Sequence, residues 1–334
     1  MRPPRPAFAL WITALCLTAA CAPAALTPSA APTIPPATAA AQAQPPTREL
    51  HTIPTVTAQP TSPPAATPSL AAALPAPTVT ALNWVAQRDP FLLQVPAAAP
   101  EDEIIGLSAG NHALVTRRFG AGSRLLMLVG GMHGGYEQNT VALAERLAAH
   151  FAANPQDIPA GWSVVIVPAA NPDGLLRGQN AEGRFNAHGV DLNRNWSCGW
   201  EPTAVWRATP VSPGAAPFSE PETQALSNAI LRLQPEAVLF FHSKAGGIFA
   251  GDCPTDPVPV DSEQMAAVYG EASGYSYGQS FSAYPVTGTA ASWADGQGIF
   301  SADVELETDN LAEFDRNLRG VLALLAWLEE QVAS

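Results

Sequence analysis

The chain has 334 residues, enough for one large domain or two ordinary ones, and its formal net charge is −13 at pH 7. Residues 101–334 hold 12 of the 16 Lys and Arg side chains and 27 of the 29 Asp and Glu side chains, a formal balance of −15. A segment this acidic repels phosphate groups, which argues against general nucleic-acid binding and against adhesion to anionic lipid.

The N-terminus has the pattern of an export signal. Arg2 and Arg5 precede an apolar run over about residues 7–20, which is shorter than a membrane-spanning helix and leads into small residues and Cys21. We interpret residues 1–21 as a signal peptide, which places the rest of the chain outside the cytoplasm.

The end of this signal resembles a bacterial lipobox. The residues before Cys21 read LTAA, although Thr18 stands where the lipobox pattern prefers Leu. The resemblance implies that Cys21 is lipidated and becomes the N-terminus of a cell-surface lipoprotein, whose membrane contact is that lipid anchor. Ordinary cleavage near Ala20, which gives a secreted protein, and a short uncleaved anchor remain the alternatives.

Residues 22–100 differ in composition from the rest of the chain. Twenty of the 34 prolines lie in the first 100 residues, and the only charged side chains between 22 and 100 are Arg48, Glu49, Arg88 and Asp89. Such a segment has too few large apolar residues to offset its ordering entropy with a core. We predict a Pro/Ala/Thr-rich disordered stalk over 22–100 and a folded domain over 101–334.

Strands and helices alternate in the folded part. Apolar runs predict strands over residues 114–119, 124–129, 163–167 and 237–241. Helical spacing covers about 141–148, and two further helices are predicted from capping boxes, Ser219 with Glu222 and Asn310 with Glu313. In the last helix, the apolar face is predicted to extend from Leu311 to Leu328. The pattern predicts a three-layer α/β/α domain with a mixed, largely parallel twisted sheet and helices on both faces.

Ligand-type side chains follow two of the predicted strands. His133 comes shortly after the strand at 124–129, His242 follows the strand at 237–241, and Glu137 lies nearby. Two histidines and one carboxylate are the usual protein ligands of a catalytic zinc ion, with a fourth position for water. A single histidine at a strand end is more often a hydrogen-bonded structural residue, so the pair alone leaves both interpretations open.

Two loop motifs identify a family. Residues 171–174 read NPDG, and residues 184–195 fit R-x-N-x-x-G-V-D-L-N-R-N. These strings resemble the zinc carboxypeptidases of the M14 type, which have the carboxypeptidase A fold, and the resemblance extends from about residue 105 to the final helix. The alternative interpretation is a Gly- and Asn-rich turn before a strand.

The resemblance implies one zinc ion per chain, held by His133, Glu137 and His242. Asp191 would accept a hydrogen bond from the far nitrogen of His133 and fix its tautomer. The alternative role for Asp191 is helix or turn capping.

The same resemblance implies a substrate site. Asn193 and Arg194 would hold the terminal carboxylate of a peptide, and Arg184 would stabilise the oxyanion. Tyr284, nine residues before Trp293, would cap the substrate as its loop closes. The alternatives are turn capping for Asn193, surface ion pairing for the arginines and packing for the aromatic residues.

The resemblance also implies a general base, which falls on Glu305 in the strand at 301–306 (SADVEL). It would take a proton from the metal-activated water and pass it to the leaving amine. Glu307 shares the same strand face by alternation and is the nearby competitor, and an exposed strand carboxylate is the alternative role for Glu305.

The spacing of the first two metal ligands departs from the family pattern. Three residues separate His133 from Glu137 where the family usually has two, and Tyr136 occupies the usual position of the acid. We assign Glu137 because Gly134 and Gly135 give the loop the freedom to absorb one residue, and because residues four apart share a helical face.

The predicted function is therefore zinc-dependent hydrolysis of the C-terminal peptide bond of peptides with a free carboxylate. In the family that the motifs resemble, the position two residues before the tryptophan that corresponds to Trp293 lies at the base of the specificity pocket, so Ala291 implies a pocket without an acidic anchor. The alternatives are an N-acyl amino acid deacylase on the same zinc scaffold and an inactive peptide-binding module tethered to the envelope. We expect a monomer without nucleic-acid partners, in which Cys198 and Cys253 could form a disulfide.

Overall fold

The computed structural model describes residues 101–254 and 260–331. The predicted signal peptide and stalk, with Cys21, lie outside the described residues, and their assignment stays a prediction. None of the helices in the described ranges is both long and apolar enough to cross a membrane.

The described residues form one seven-stranded mixed sheet and a separate two-stranded hairpin. The strands in chain order are β1 (Glu101–Leu107), β2 (Ala113–Phe119), β3 (Arg124–Val129), β4 (Trp162–Val167), β5 (Ala204–Trp206), β6 (Thr209–Val211), β7 (Ala237–Ser243), β8 (Gly247–Ala250) and β9 (Phe300–Leu306). The order in the large sheet is β1-β2-β4-β3-β7-β9-β8, and β5 pairs with β6. The four central strands are parallel, and the outer strands β1, β2 and β8 pair antiparallel. This arrangement confirms the mixed, centrally parallel sheet.

Helices cover both faces of the sheet. They are α1 (Gln138–Ala153), α2 (Pro172–Arg177), α3 (Pro221–Leu233), α4 (Ser262–Ser273), α5 (Ala290–Asp295) and α6 (Phe314–Glu330). One buried cluster joins α1, α4 and α6 to the sheet residues exemplified by Leu126 and Leu239, and a second joins α3 and α5 to Met127 and Val238. Neighbouring residues of β3 and β7 thus face opposite layers, as alternation along a strand requires, and the predicted three-layer architecture is confirmed.

The capping box predicted for α3 is wrong. The helix begins at Pro221, and Glu220 makes no side-chain cap. Instead, Asn195 Oδ1 accepts hydrogen bonds from the Glu220 backbone N–H (3.2 Å) and from Thr223 Oγ1 (2.7 Å). The start of α3 is therefore fixed by a side chain from a distant loop, which local sequence patterns do not report.

The capping box predicted for α6 is wrong as well. The helix begins at Phe314, and Glu313 has a left-handed backbone with φ of 48°. The Glu313 carboxylate reaches back to Thr308, accepting from its N–H at 2.9 Å and its hydroxyl at 3.0 Å, and Asn310 takes no part. Leu311 lies outside the helix and is 58% exposed, so it does not belong to the apolar face.

A disulfide joins Cys198 to Cys253, with their Cα atoms 5.9 Å apart and a separation of 55 positions in the sequence. It ties the loop that follows the NPDG and VDLNRN segments to the segment after β8. Both cysteines are buried.

Candidate metal centre and active site

The site lies at the carboxyl ends of the central parallel strands, where ligands bind in sheets of this kind. His133 follows β3 after a short glycine-rich segment, and His242 is the second-to-last residue of β7. The strand at β7 is therefore longer than its apolar run, because it continues through the polar His242 and Ser243. Glu305 lies on β9, directly opposite His242 in the parallel register.

The two histidines and Glu137 converge. His133 Nδ1 is 2.9 Å from Glu137 Oε1, and His242 Nδ1 is 3.3 Å from both His133 Nδ1 and Glu137 Oε2. All three side chains are buried, and within the described ranges they form the group whose ligand atoms could hold a metal ion. Tetrahedral zinc with ligands at 2.0–2.1 Å spaces its donors by about 3.3 Å, so the donor set fits this ion.

The extra residue between His133 and Glu137 is accommodated in a tight turn. The N–H groups of Tyr136 and Glu137 both point to the His133 carbonyl, at 3.1 and 3.4 Å. The chain is therefore already turning as a helix, which places Glu137 on the same face as His133. Gly134 has φ of +45°, a left-handed conformation that glycine adopts without strain.

Close backbone contacts also require this glycine pair. A Cβ atom on Gly134 would lie 2.6 Å from the Leu175 nitrogen, and one on Gly135 would lie 2.4 Å from the Gly178 oxygen. The turn thus packs directly on α2 and the residue after it. The tyrosine displaced from the ligand position, Tyr136, sets its ring against Trp206 with 4.9 Å between ring centroids.

Asp191 links the metal centre to Arg184. It accepts from His133 Nε2 at 3.2 Å, from Arg184 Nε at 2.8 Å and from the Asn193 N–H at 3.1 Å. The first contact orients the imidazole, and the last caps a short 3-10 turn, so both roles weighed from the sequence apply. Burial raises the pKa of Asp191, but the guanidinium groups of Arg184 and Arg194 outweigh it and hold that pKa well below its ordinary value.

Arg184 is itself fixed towards the metal ligands. Its Nη1 lies 3.5 Å from Glu137 Oε1, and its guanidinium lies over the Trp206 ring at 4.9 Å from the centroid. The buried guanidinium remains charged, since the pKa of Arg184 is raised by Asp191 and Glu137 despite its burial.

Glu305 is a buried carboxylate outside the ligand group. Burial raises its pKa to about 7, and the negative charge of Glu137 adds to the rise, while His242 opposes it. One oxygen, Oε2, accepts a hydrogen bond of 3.1 Å from the Ala245 N–H. The competing Glu307 is instead paired with Arg316 at 2.9 Å, with its side chain 57% exposed.

A cavity of about 480 Å³ brings the predicted residues together. His133, Glu137, Arg184, Tyr284 and Glu305 all line it. The remaining polar and aromatic wall residues, which no sequence pattern indicated as lining the site, are Tyr136, Trp206, Arg207, Ser243, Lys244 and Phe281. Trp206 and Arg207 come from the β5–β6 hairpin, whose sequence carries no motif that would have pointed to them.

Asn193 and Arg194 are buried beside this cavity and are not among the residues that line it. Arg194 donates to the carbonyl oxygens of Asn193 (2.7 Å) and Val205 (3.3 Å). Its Nε is a buried donor without a hydrogen-bond partner among the described residues. Such an orphaned N–H is the kind of group that a ligand satisfies.

A second cavity, of about 300 Å³, is lined by Ala291 and shares Phe281 with the first. Its wall also carries three carboxylates, Asp252, Glu263 and Asp303. The cavity beside Ala291 therefore contains acidic groups, although this uncharged residue predicted a pocket without an acidic anchor. Asp303 was missed although it shares the β9 face of Glu305, and period-two alternation could have identified it.

Comparison with known proteins agrees with this geometry. The model of the zinc carboxypeptidase family, Peptidase_M14, matches residues 105–316, more than half of the chain. Murein peptide amidase A from Escherichia coli (strain K12) is 44% identical over 87 residues, covering 23% of this chain and 34% of the amidase. Carboxypeptidase B from Astacus astacus is 26% identical over 228 residues, covering 59% of this chain and 75% of that enzyme. The chain thus spans about a third of the amidase.

Solved structures share the fold. Murein-tripeptide amidase MpaA from Escherichia coli O157 superposes with a TM-score of 0.54 at 24% identity, covering 71% of this chain and 94% of that chain. Bovine thrombin-activatable fibrinolysis inhibitor, in complex with tick carboxypeptidase inhibitor, gives a TM-score of 0.61 at 18% identity, covering 75% of this chain and 97% of that chain.

Proposed function

This chain belongs to the zinc carboxypeptidase family, Peptidase_M14; from that premise we propose that it is a zinc metallopeptidase that removes the C-terminal residue of peptides. The observation that carries the proposal is the triad of His133, Glu137 and His242, with ligand atoms within 4.8 Å of one another, beside the buried carboxylate of Glu305. A catalytic metal site needs such an additional group to handle the proton.

The chemistry is divided among fixed residues. A bound zinc ion supplies Lewis-acid polarisation and lowers the pKa of a bound water. Glu305 accepts the proton of the attacking water and passes it to the leaving amine. Arg184, held by Asp191, donates to the oxyanion that develops on the scissile carbonyl.

Recognition of a free C-terminus falls to Arg194, with Asn193 beside it. The support is the unpartnered Nε of Arg194, buried next to the cavity where a carboxylate could satisfy it. Tyr284, half-buried in the cavity wall, closes over the peptide backbone. Together these contacts make cleavage depend on the terminal carboxylate, as an exopeptidase requires.

The test compares matched peptides with free and amidated C-termini, before and after removal of metal by a chelator. We expect cleavage of the free-carboxylate peptides alone, lost on chelation and restored by zinc. Hydrolysis confined to N-acyl amino acids would instead indicate a deacylase. Tight peptide binding without turnover in the zinc-loaded protein would indicate a binding module.

A second candidate is an amidase that acts on peptides derived from murein. It is favoured by the 44% identical segment shared with murein peptide amidase A and by the cation Arg207 in the cavity wall, which suits an acidic substrate. The other cation of the wall, Lys244, is already paired with Asp309 at 2.7 Å. Turnover of a murein tripeptide at least tenfold faster than that of a neutral tripeptide, reduced by Arg207→Gln, would favour this candidate.

We also propose that the enzyme acts outside the cytoplasm as a monomer, anchored through lipidated Cys21. The Cys198–Cys253 disulfide supports this location, because disulfides persist in oxidising compartments. Mass spectrometry of the mature N-terminus in the native host tests it, with a diacylglyceryl cysteine as the expected result. An unmodified mature chain that begins near residue 21 would indicate secretion without an anchor.

A further inference from the structure

We propose that Asp303 positions the metal-binding His242, by accepting a hydrogen bond from the imidazole nitrogen that faces away from the metal. The inference rests on the metal site of the proposed function. It concerns a residue on β9 that lies two positions before Glu305 and opposite Phe240 of β7.

The tautomer of His242 follows from the ligand geometry. Its Nδ1 faces His133 Nδ1 and Glu137 Oε2, both at 3.3 Å, so Nδ1 is the atom that meets the metal. A neutral imidazole that offers Nδ1 to a metal carries its proton on Nε2, which makes Nε2 a hydrogen-bond donor. A buried donor of this kind needs an acceptor.

Two groups face Nε2, and only one of them can accept. Asn193 Nδ2 lies at 3.3 Å, and Asp303 Oδ1 lies at 3.4 Å. The amide of Asn193 is oriented by its own oxygen, which accepts from the Ala290 N–H at 2.9 Å, so its NH₂ end points to His242. An NH₂ group donates and does not accept. Asp303 is therefore the acceptor for the Nε2 proton.

The environment of Asp303 suits this role. Its Oδ1 is buried and has no hydrogen-bond partner among the described residues that meets ordinary geometry, and the carboxylate as a whole is 19% exposed. Leaving a buried carboxylate oxygen unpartnered is costly. The arrangement mirrors that of the first histidine, whose Nε2 meets Asp191 Oδ1 at 3.2 Å. Each metal-binding imidazole thus has its own carboxylate, which fixes the ring and increases its basicity.

Asp303 also lines the second cavity, so a substitution could change substrate preference without any effect on the metal. Zinc affinity, and not activity alone, is therefore the decisive measurement. Asp252 provides the matched control, because it is an exposed carboxylate in the wall of the same cavity.

The experiment measures zinc dissociation constants by chelator competition at pH 7 for wild type, Asp303→Ala, Asp303→Asn and Asp252→Ala. Loss of a carboxylate behind a metal-binding histidine weakens metal affinity by about 10- to 100-fold, and we expect this for Asp303→Ala. Asp303→Asn should lose less zinc affinity, since its amide oxygen can still accept the hydrogen bond from His242. The zinc affinity of Asp252→Ala should stay within about twofold of wild type.

Two further readouts separate positioning from a general structural role. In metal-free protein, the melting temperature of Asp303→Ala should match wild type, whereas the increase on adding zinc should be smaller. Nitrogen NMR of the His242 ring should show the Nε2–H tautomer in zinc-loaded wild type. In Asp303→Ala, the ring should no longer be held in this single tautomer and orientation. An Asp303→Ala affinity within twofold of wild type would overturn the inference and leave the proposed function standing. A wild-type protein that binds no zinc would overturn both.

Discussion

His242 and Glu305 stand opposite each other on the adjacent parallel strands β7 and β9. One offers a ligand atom to the metal group, and the other is a buried carboxylate outside that group. The sheet itself thus sets the position of the proposed base relative to the metal. A position fixed by backbone pairing needs no rearrangement during the reaction.

Replacement of Glu305 tests the proposed base. Glu305→Gln keeps the shape of the side chain but cannot take a proton, so kcat should fall by roughly 10²- to 10⁴-fold while zinc affinity is retained. Glu307→Gln is the matched control, because Glu307 is exposed and paired with Arg316. Equal decreases in kcat for the two variants would show that Glu305 is not the general base.

The activity should also show an acid limb set by Glu305. A base works in its deprotonated form, so kcat/KM should fall as the pH drops through the pKa of Glu305. Burial raises that pKa to about 7 from an ordinary 4.5, and bound metal offsets part of the contribution from Glu137. We expect a midpoint between these two values in the pH profile of kcat/KM. A profile flat down to pH 4.5 would contradict it.

The turn between the first two metal ligands is sensitive to side chains. Gly134→Ala should reduce zinc affinity and stability, because the new Cβ would lie 2.6 Å from the Leu175 nitrogen at a residue with φ of +45°. Gly161→Ala is the control, since Gly161 also has a positive φ but nothing lies within 4 Å of the added atom. Only Gly134→Ala should change the zinc dissociation constant. An equal change of this constant in both variants would show that backbone strain at a positive φ is the cause, and not the close contact with Leu175.

Asp173, in the NPDG segment, should contribute stability that depends on pH. Burial raises its pKa, but hydrogen bonds from Ser108, His112 and the N–H groups of Gly110 and Ala187 outweigh it, and the pKa lies below the ordinary 3.8. The stabilisation is therefore complete above pH 3.8 and is lost as the pH falls through the lowered pKa.

We expect Asp173→Asn to lower the free energy of unfolding by about 1–3 kcal/mol at pH 7, with the gap to wild type closing towards pH 3. Urea denaturation at several pH values measures this. Asp252→Asn, at an exposed carboxylate, should unfold with the same free energy as wild type. If the difference between Asp173→Asn and wild type did not change with pH, the charge of Asp173 would not be the source of the stabilisation.

The disulfide should stabilise the fold through its long loop. Closing a loop of about 55 residues in the unfolded chain contributes about 4 kcal/mol in the chain-entropy view. The double variant Cys198→Ser, Cys253→Ser should melt at a lower temperature than wild type in the absence of reductant, and reductant should remove the difference. Identical melting temperatures without reductant would show that the crosslink adds nothing to stability.

The fold could be predicted from local patterns, and the metal group from those patterns together with the family resemblance of the loop motifs. Apolar runs mark β3, β4 and β7 almost to the residue, and His133, Glu137 and His242 follow strand ends or turns within reach of them. Strand alternation could also have identified Asp303. The remaining parts depend on contacts between distant segments.

The starts of α3 and α6 illustrate such contacts. Both look locally like capping boxes, yet Asn195 reaches α3 from another loop, and a left-handed Glu313 begins α6. Trp206 is another example, because its place beside Arg184 depends on how the β5–β6 hairpin folds over the site. A single sequence gives no local signal for these contacts, since tertiary packing decides them.

The metal ligands are also far apart along the chain, with 109 positions between His133 and His242. The donor atoms can meet only after β7 has docked alongside β3, and docking of β9 then adds the opposing carboxylate. Metal binding by the native ligand set therefore requires that these strands have already paired, and such long-range parallel pairing forms slowly. A chain truncated before β7 would lack His242 and could not form this metal group.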